Sequence, residues 1–226
     1  MKIFLNALLL SAGWFCASVH AQQSEVLRKQ FLEDKAKAEQ GDAKAQADLG
    51  ARYAEGIGVE KDYADAVKWF RKAAEQGNAR AQGVLGTFYH EGLGVEKNYA
   101  EAVKWFRKAA EQGNADAQGV LGAFYHEGIG LEKDLTEAVK WFRKAAEQGL
   151  AIAQHSLGVC YRNGQGVEKN YTEAYAWFNL ASKTDKDAAA ARDALEKTMS
   201  TQQVGDAQKR TKELRALIEA KLKIGG

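Results

Sequence analysis

Four tryptophans, Trp69, Trp105, Trp141 and Trp177, recur every 36 residues. Tyr53, Tyr89, Tyr125 and Tyr161 keep the same step, and so do Leu49, Leu85, Leu121 and Leu157, each followed by glycine. Residues 79–114 and 115–150 match at 28 of 36 positions. The period divides the chain into four units, 43–78, 79–114, 115–150 and 151–186. A unit of this size cannot cover its own apolar face, so the units must stack, each burying its neighbour.

Within a unit the spacing predicts two helices. The first covers about thirteen residues, such as AKAQADLGARYAE, and places Ala45, Leu49, Gly50 and Tyr53 on one face. Gly56 follows as a left-handed C-cap. After the loop GIGVEK, the N-cap positions Asp62, Asn98, Asp134 and Asn170 precede Asp65, Glu101, Glu137 and Glu173 by three residues, a capping-box spacing. The second helix turns Ala66, Trp69, Phe70 and Ala73 inward, and Gly77, Gly113 and Gly149 end it. Gly50 and its counterparts are expected to let the paired helices approach closely, with the Trp and Tyr rings filling the space between units. The absence of proline and the abundance of alanine agree with an all-α chain.

The net charge of +2 over 226 residues gives no concentrated positive surface and argues against nucleic acid as the main partner. Residues 1–21 are expected to be a secretory signal peptide: Lys2, then an apolar stretch over 3–19, then Val19-His20-Ala21 as the cleavage site, with Gln22 the new N-terminus. A retained membrane anchor is the competing reading. Trp14 and Phe15 stand where a lipoprotein signal before Cys16 wants small residues. No second transmembrane segment follows. The mature chain then holds one cysteine, Cys160, so no internal disulfide can staple it.

The motif A-x-A-Q-x-x-L-G-x-x-Y-x-x-G-x-G-V, followed by A-V-x-W-F-R-K-A-A-E-Q-G, resembles the Sel-one-like repeat family, tetratricopeptide-related solenoid proteins. The resemblance implies a right-handed superhelical α/α solenoid of four 36-residue repeats. It also implies that the chain works as an adaptor or scaffold for protein complexes. Helical caps are expected at both ends: 22–42, in which 31–42 resemble a second helix alone, and 187–226, with helices at 188–199 and 201–223. Ser200 and Gln203 form another capping box. Repeat four departs from the pattern at Asn179, Leu180 and Ser182, which implies a different surface near the C-terminal end.

Several patterns invite chemistry. His90 and His126 share one repeat position, each between Tyr and Glu, without the compact spacing of a metal site; His155 sits at another helical phase. The Gly-x-Gly loops follow a helix rather than a strand, unlike a phosphate loop. Lys68, Arg71, Lys72 and their copies make nine cations on second helices, with acidic neighbours three or four residues away. Cys160 reads as a partly buried thiol, with a nucleophile or an intermolecular disulfide partner as the alternatives, its repeat equivalents being Arg52, Phe88 and Phe124. Serine β-lactamase motifs are absent, as are the paired cysteines of the relatives linked to β-lactam chemistry. No cofactor or metal is implied.

The resemblance places the first helix of each pair on the concave side. Candidate partner-binding residues there are Arg80, Asp116 and Ile152 (with Lys44), Thr87 and Val159 (with Ala123), and His90, His126 and Arg162. Phe88 and Phe124 join them as anchors if exposed, or pack between repeats if not. The function expected is an exported scaffold or adaptor, periplasmic or secreted from a bacterium, that binds a protein or peptide through its concave face. The alternatives are a cell-wall or β-lactam-acting hydrolase, and an envelope or host-surface binder using the basic outer faces.

Overall fold

The computed structural model describes residues 25–225, and the expected leader lies outside them. Among the described residues there are eleven helices and no strand, as the repeat demands. They form two compact units that divide between Lys97 and Asn98.

The first unit holds α1 (25–39), α2 (Ala43–Glu55), α3 (Tyr63–Glu75) and α4 (Ala79–Glu91). α3 packs on both α2 and α4. α1 behaves as the second helix of a truncated repeat but starts at residue 25, not 31. Its Phe31 and Ala38 pack with Ala45 and Leu49 of α2, and the Phe31 and Tyr53 rings meet edge-on at 5.5 Å. Asp34, at the position that carries Phe70 in the next repeat, pairs with Arg52 at 2.7 Å. The capping end thus replaces an aromatic contact with an ion pair that tolerates water.

The second unit holds α5 (Tyr99–Glu111), α6 (Ala115–Glu127), α7 (Leu135–Ala146), α8 (Ala151–Asn163), α9 (Tyr171–Ala181), α10 (Lys186–Glu196) and α11 (Thr201–Gly225). Neighbours pack in order from α5 to α9, and α10 and α11 both lie on α9. This explains the departures in repeat four. Ala176 replaces the lysine of earlier repeats, and Leu180 replaces another, so Leu214 and Ile218 of α11 can bury there. α10 begins at Lys186 because the Asp185 carboxylate caps the N–H groups of Asp187 and Ala188. The Ser200–Gln203 box forms in both directions.

The capping of second helices is only half reciprocal. Asp62, Asn98, Asp134 and Asn170 accept the expected backbone N–H groups. The acid three residues on does not reach back, because the Asp62, Asp134 and Asn170 N–H groups donate to the carbonyls of Tyr53, Tyr125 and Tyr161. Asp65, Glu101 and Glu137 instead pair with Lys68, Lys104 and Lys140.

Two framework details hold each stack. Leu49, Leu85, Leu121 and Leu157 are fully buried, each contributing about 2–3 kcal/mol by burial. Buried Gln46, Gln82, Gln118 and Gln154 donate to the carbonyls of Ala38, Ala74, Ala110 and Ala146, at the end of the helix before. Leaving such a carbonyl unpaired costs about 1–3 kcal/mol, which gives the fixed glutamine of the motif its physical reason.

The aromatic expectation is met in part. Trp105, Trp141 and Trp177 are buried, whereas Trp69 and the four repeat tyrosines are half-buried. Arg71, Arg107 and Arg143 donate to the hydroxyls of Tyr89, Tyr125 and Tyr161, eighteen residues on. Lys72, Lys108 and Lys144 lie over Trp69, Trp105 and Trp141 at 4.0–4.5 Å from the ring centres. All nine repeated cations therefore hold a carboxylate, a hydroxyl or a ring face of the protein itself.

Candidate functional site

In the second unit, first helices α6 and α8 bound a groove floored by Phe142 of α7. Two pockets lie along it. One, of about 280 Å³, is lined by Ala123, His126, Glu127, Phe142, His155, Ser156, Val159 and Cys160. The other, of about 230 Å³, adds Asp116, Gly119, Val120, Leu150, Ile152 and Ala153, and shares Ala123, Phe142 and Ser156 with the first. The structure thus brings together Asp116, His126, Ile152 and Val159, four of the candidate residues. Ile152 is 68% exposed, an unusual state for a large aliphatic side chain. Arg162 lies over the Phe178 ring, 5.6 Å from its centre.

Phe88 and Phe124 are not surface anchors. They are 6% and 4% exposed and meet Phe70 and Phe106 edge-on, at 5.6 and 5.5 Å between ring centres. In the first unit, Arg80 pairs with Asp48 at 3.6 Å, the Thr87 hydroxyl donates to the Gly83 carbonyl, and His90 stands beside Glu91.

Sequence reasoning gave no binding role to Leu150, His155, Ser156 or Cys160. A signal was present, since each breaks the repeat. Leu150 replaces an Asn or Asp cap, His155 replaces Gly or Ala, Ser156 replaces Val120 and Val84, and Cys160 replaces Phe124 and Phe88. α8 alone among the repeat first helices has no side-chain cap hydrogen bond, and a lost cap costs about 1 kcal/mol. Together with Ile152 and Val159, these departures converge on one groove. Positions where a sequence breaks its own local rules are where function is expected.

The electrostatics are mild. His126 Nδ1 lies 2.5 Å from Glu127 Oε1, and His155 Nδ1 lies 2.9 Å from Asp185 Oδ2. Burial works against the Asp185 charge, but the Ala188 and Asp187 N–H groups and the His155 ring hold its carboxyl below the usual range. A base with an orienting carboxylate suggests acyl chemistry, yet the Ser156 hydroxyl donates to the Ile152 carbonyl rather than to an imidazole. Cys160 is 2% exposed, and burial pushes its thiol up to about 11; a nucleophilic cysteine needs the opposite shift. Among the described residues no group of three or more His, Cys, Asp or Glu is placed to hold a metal ion. No described helix is long and apolar enough to cross a membrane.

The Gly-x-Gly loops have a packing role. The second glycine presses on the helix start one repeat earlier: a Cβ on Gly94 would sit 2.3 Å from Tyr63, and one on Gly166 2.1 Å from the Leu135 carbonyl oxygen.

Compared with known families, the chain matches the Sel1 repeat at 43–78, 79–114, 115–150 and 151–183. Among solved structures it is similar to a Sel1 repeat protein from Oxalobacter formigenes, with 35% identity over 84% of each chain and a TM-score of 0.66. It is also similar to c5321, a protective antigen of uropathogenic Escherichia coli with an SLR fold, with 29% identity over 89% of this chain and 60% of that one and a TM-score of 0.51. A search of the curated proteins returned no match.

Proposed function

This chain belongs to the Sel1 repeat family, and on that footing we propose that it is an exported scaffold whose α6–α8 groove binds a protein or peptide segment. Proteins of this family typically act as protein-interaction scaffolds. The observation that carries the groove assignment is the convergence of departures from the repeat, Leu150, Ile152, His155, Ser156 and Cys160, on the lining of two adjoining pockets. A rigid repeat framework with a locally varied lining is what an interface grafted on a scaffold requires. The sequence of residues 1–21, which reads as a secretory leader, supports export to the periplasm or beyond a bacterial cell.

The basic-face reading is the weaker one, because the repeated cations are already engaged within the protein. The hydrolase reading lacks an activated nucleophile at the pocket that His126 and His155 line.

Capture from envelope extract by the mature chain, residues 22–226, tests the choice. Asp116 and Ile152 are both exposed, so Asp116→Lys with Ile152→Glu leaves the core intact. That pair is expected to reduce capture of the partner at least about tenfold, as loss of central interface contacts does. Lys104→Glu with Lys140→Glu is expected to leave capture unchanged. Loss with the lysine pair alone, or equal capture by all three proteins, refutes the groove.

A further inference from the structure

Cys160 stands where the two preceding repeats carry Phe88 and Phe124. Those rings pack edge-on against Phe70 and Phe106, one helix back. Phe142 is the next member of the series that begins Phe70, Phe106. Its phenyl partner is missing; Cys160 packs in the same cluster, and the ring that meets Phe142 is the His126 imidazole, tilted, with 6.5 Å between centres. A pocket of about 280 Å³ remains, with Phe142, Val159, Ala123 and Cys160 in its wall. Drug-sized ligands occupy pockets of roughly 300–1,000 Å³, so this one suits a single side chain.

We propose that the pocket takes the phenyl ring of a phenylalanine from a peptide partner, which restores against Phe142 the ring pair that repeat four lacks. This rests on the groove reading above and names its anchor. Aromatic pairs favour edge-to-face contact, and the protein already uses that contact at the two equivalent places. The buried thiol is neutral, so the part of the wall that faces Phe142 carries no charge to desolvate; Glu127 lies in the same lining, paired with His126.

The mouth is polar in a complementary way. His126 and His155 commit Nδ1 to Glu127 and Asp185. Facing a carboxylate, Nδ1 is the donor, and Nε2 of a neutral ring can then accept a backbone N–H. A peptide with its ring inserted lays its own amides across that mouth. Its chain continues into the adjoining pocket, which shares Ala123, Phe142 and Ser156 and ends at Asp116 and Ile152.

The probe is N-acetyl-L-phenylalaninamide, titrated into the mature chain and followed by amide NMR, with N-acetyl-L-alaninamide as control. Saturable shifts at Ala123, Val159 and Cys160 are expected with the phenyl compound only. Cys160→Phe restores the residue of the earlier repeats and fills the pocket. It is expected to keep or raise the thermal midpoint, showing that it folds, and to weaken probe binding at least about tenfold. No saturable shift in the parent, or equal affinity in folded Cys160→Phe, overturns the proposal. If the parent ignores the probe while Asp116→Lys with Ile152→Glu still abolishes partner capture, the ring pocket fails and the groove stands. Probe binding with capture untouched by that pair keeps the ring pocket and removes the groove.

Discussion

Gly166→Ala is expected to lower the thermal midpoint by about 10 °C, followed by far-UV circular dichroism. Gly166 holds a φ of +71°, and a Cβ there would lie 2.1 Å from the Leu135 carbonyl oxygen. The left-handed backbone costs about 1–2 kcal/mol for a residue with a side chain. The carbonyl contact adds more, because it belongs to helix backbone in the preceding repeat and cannot swing away. A total above about 3 kcal/mol converts to that shift at about 2–4 °C per kcal/mol for a chain of this size. Gly149→Ala is the control: its φ is +87°, but nothing lies within 4 Å of the added carbon. It is expected to lose only the backbone part, about 1–2 kcal/mol. Equal losses at the two positions would falsify the idea that these loops are the stacking contacts between repeats.

The second large effect concerns glycines inside the first helices, where φ is ordinary. A Cβ on Gly158 would sit 2.6 Å from the ring of Phe178, which is fully buried and has nowhere to move. Gly158→Ala is expected to cost about 1–3 kcal/mol by overpacking, measured by chemical denaturation. Phe178→Leu trades one loss for another, but in the double variant the alanine should cost much less than it does alone. Gly83 is helical as well, yet nothing lies within 4 Å of its added carbon. There the same change is expected to stabilise by about 0.5–1 kcal/mol, since alanine loses less backbone freedom on folding. Destabilisation of similar size at Gly83 and Gly158 would count against a steric cause.

The framework was legible because stacking repeats the same physical demand every 36 residues. Leucine, glycine and the Phe of each Trp-Phe pair recur because each unit buries them against the next. What a repeat comparison does not reveal is what each side chain meets across the stack. Phe88 and Phe124 fit an exposed or a packed role equally well in one dimension. Only the positions of Phe70 and Phe106 decide it. The same holds for the cations: a run of Lys and Arg reads as a solvated face until Tyr89, Tyr125 and Tyr161 are seen to accept from them. The groove was half legible. Asp116, His126, Ile152 and Val159 were named because the family resemblance points to variable first-helix positions, whereas His155 and Cys160 read as isolated oddities. They become one feature only when α6, α7 and α8 are folded around Phe142.

The most direct measurement of the central claim is side-chain footprinting by hydroxyl radicals on the mature chain, free and in complex with the partner it captures. Ile152 is 68% exposed in the free protein and should label strongly there. The account expects Ile152 and Val159 to be protected in the complex, with labelling on the exposed side of α11, at Leu217 and Leu222, unchanged. Full labelling of Ile152 and Val159 in a saturated complex would contradict the groove and move the binding surface elsewhere on the protein.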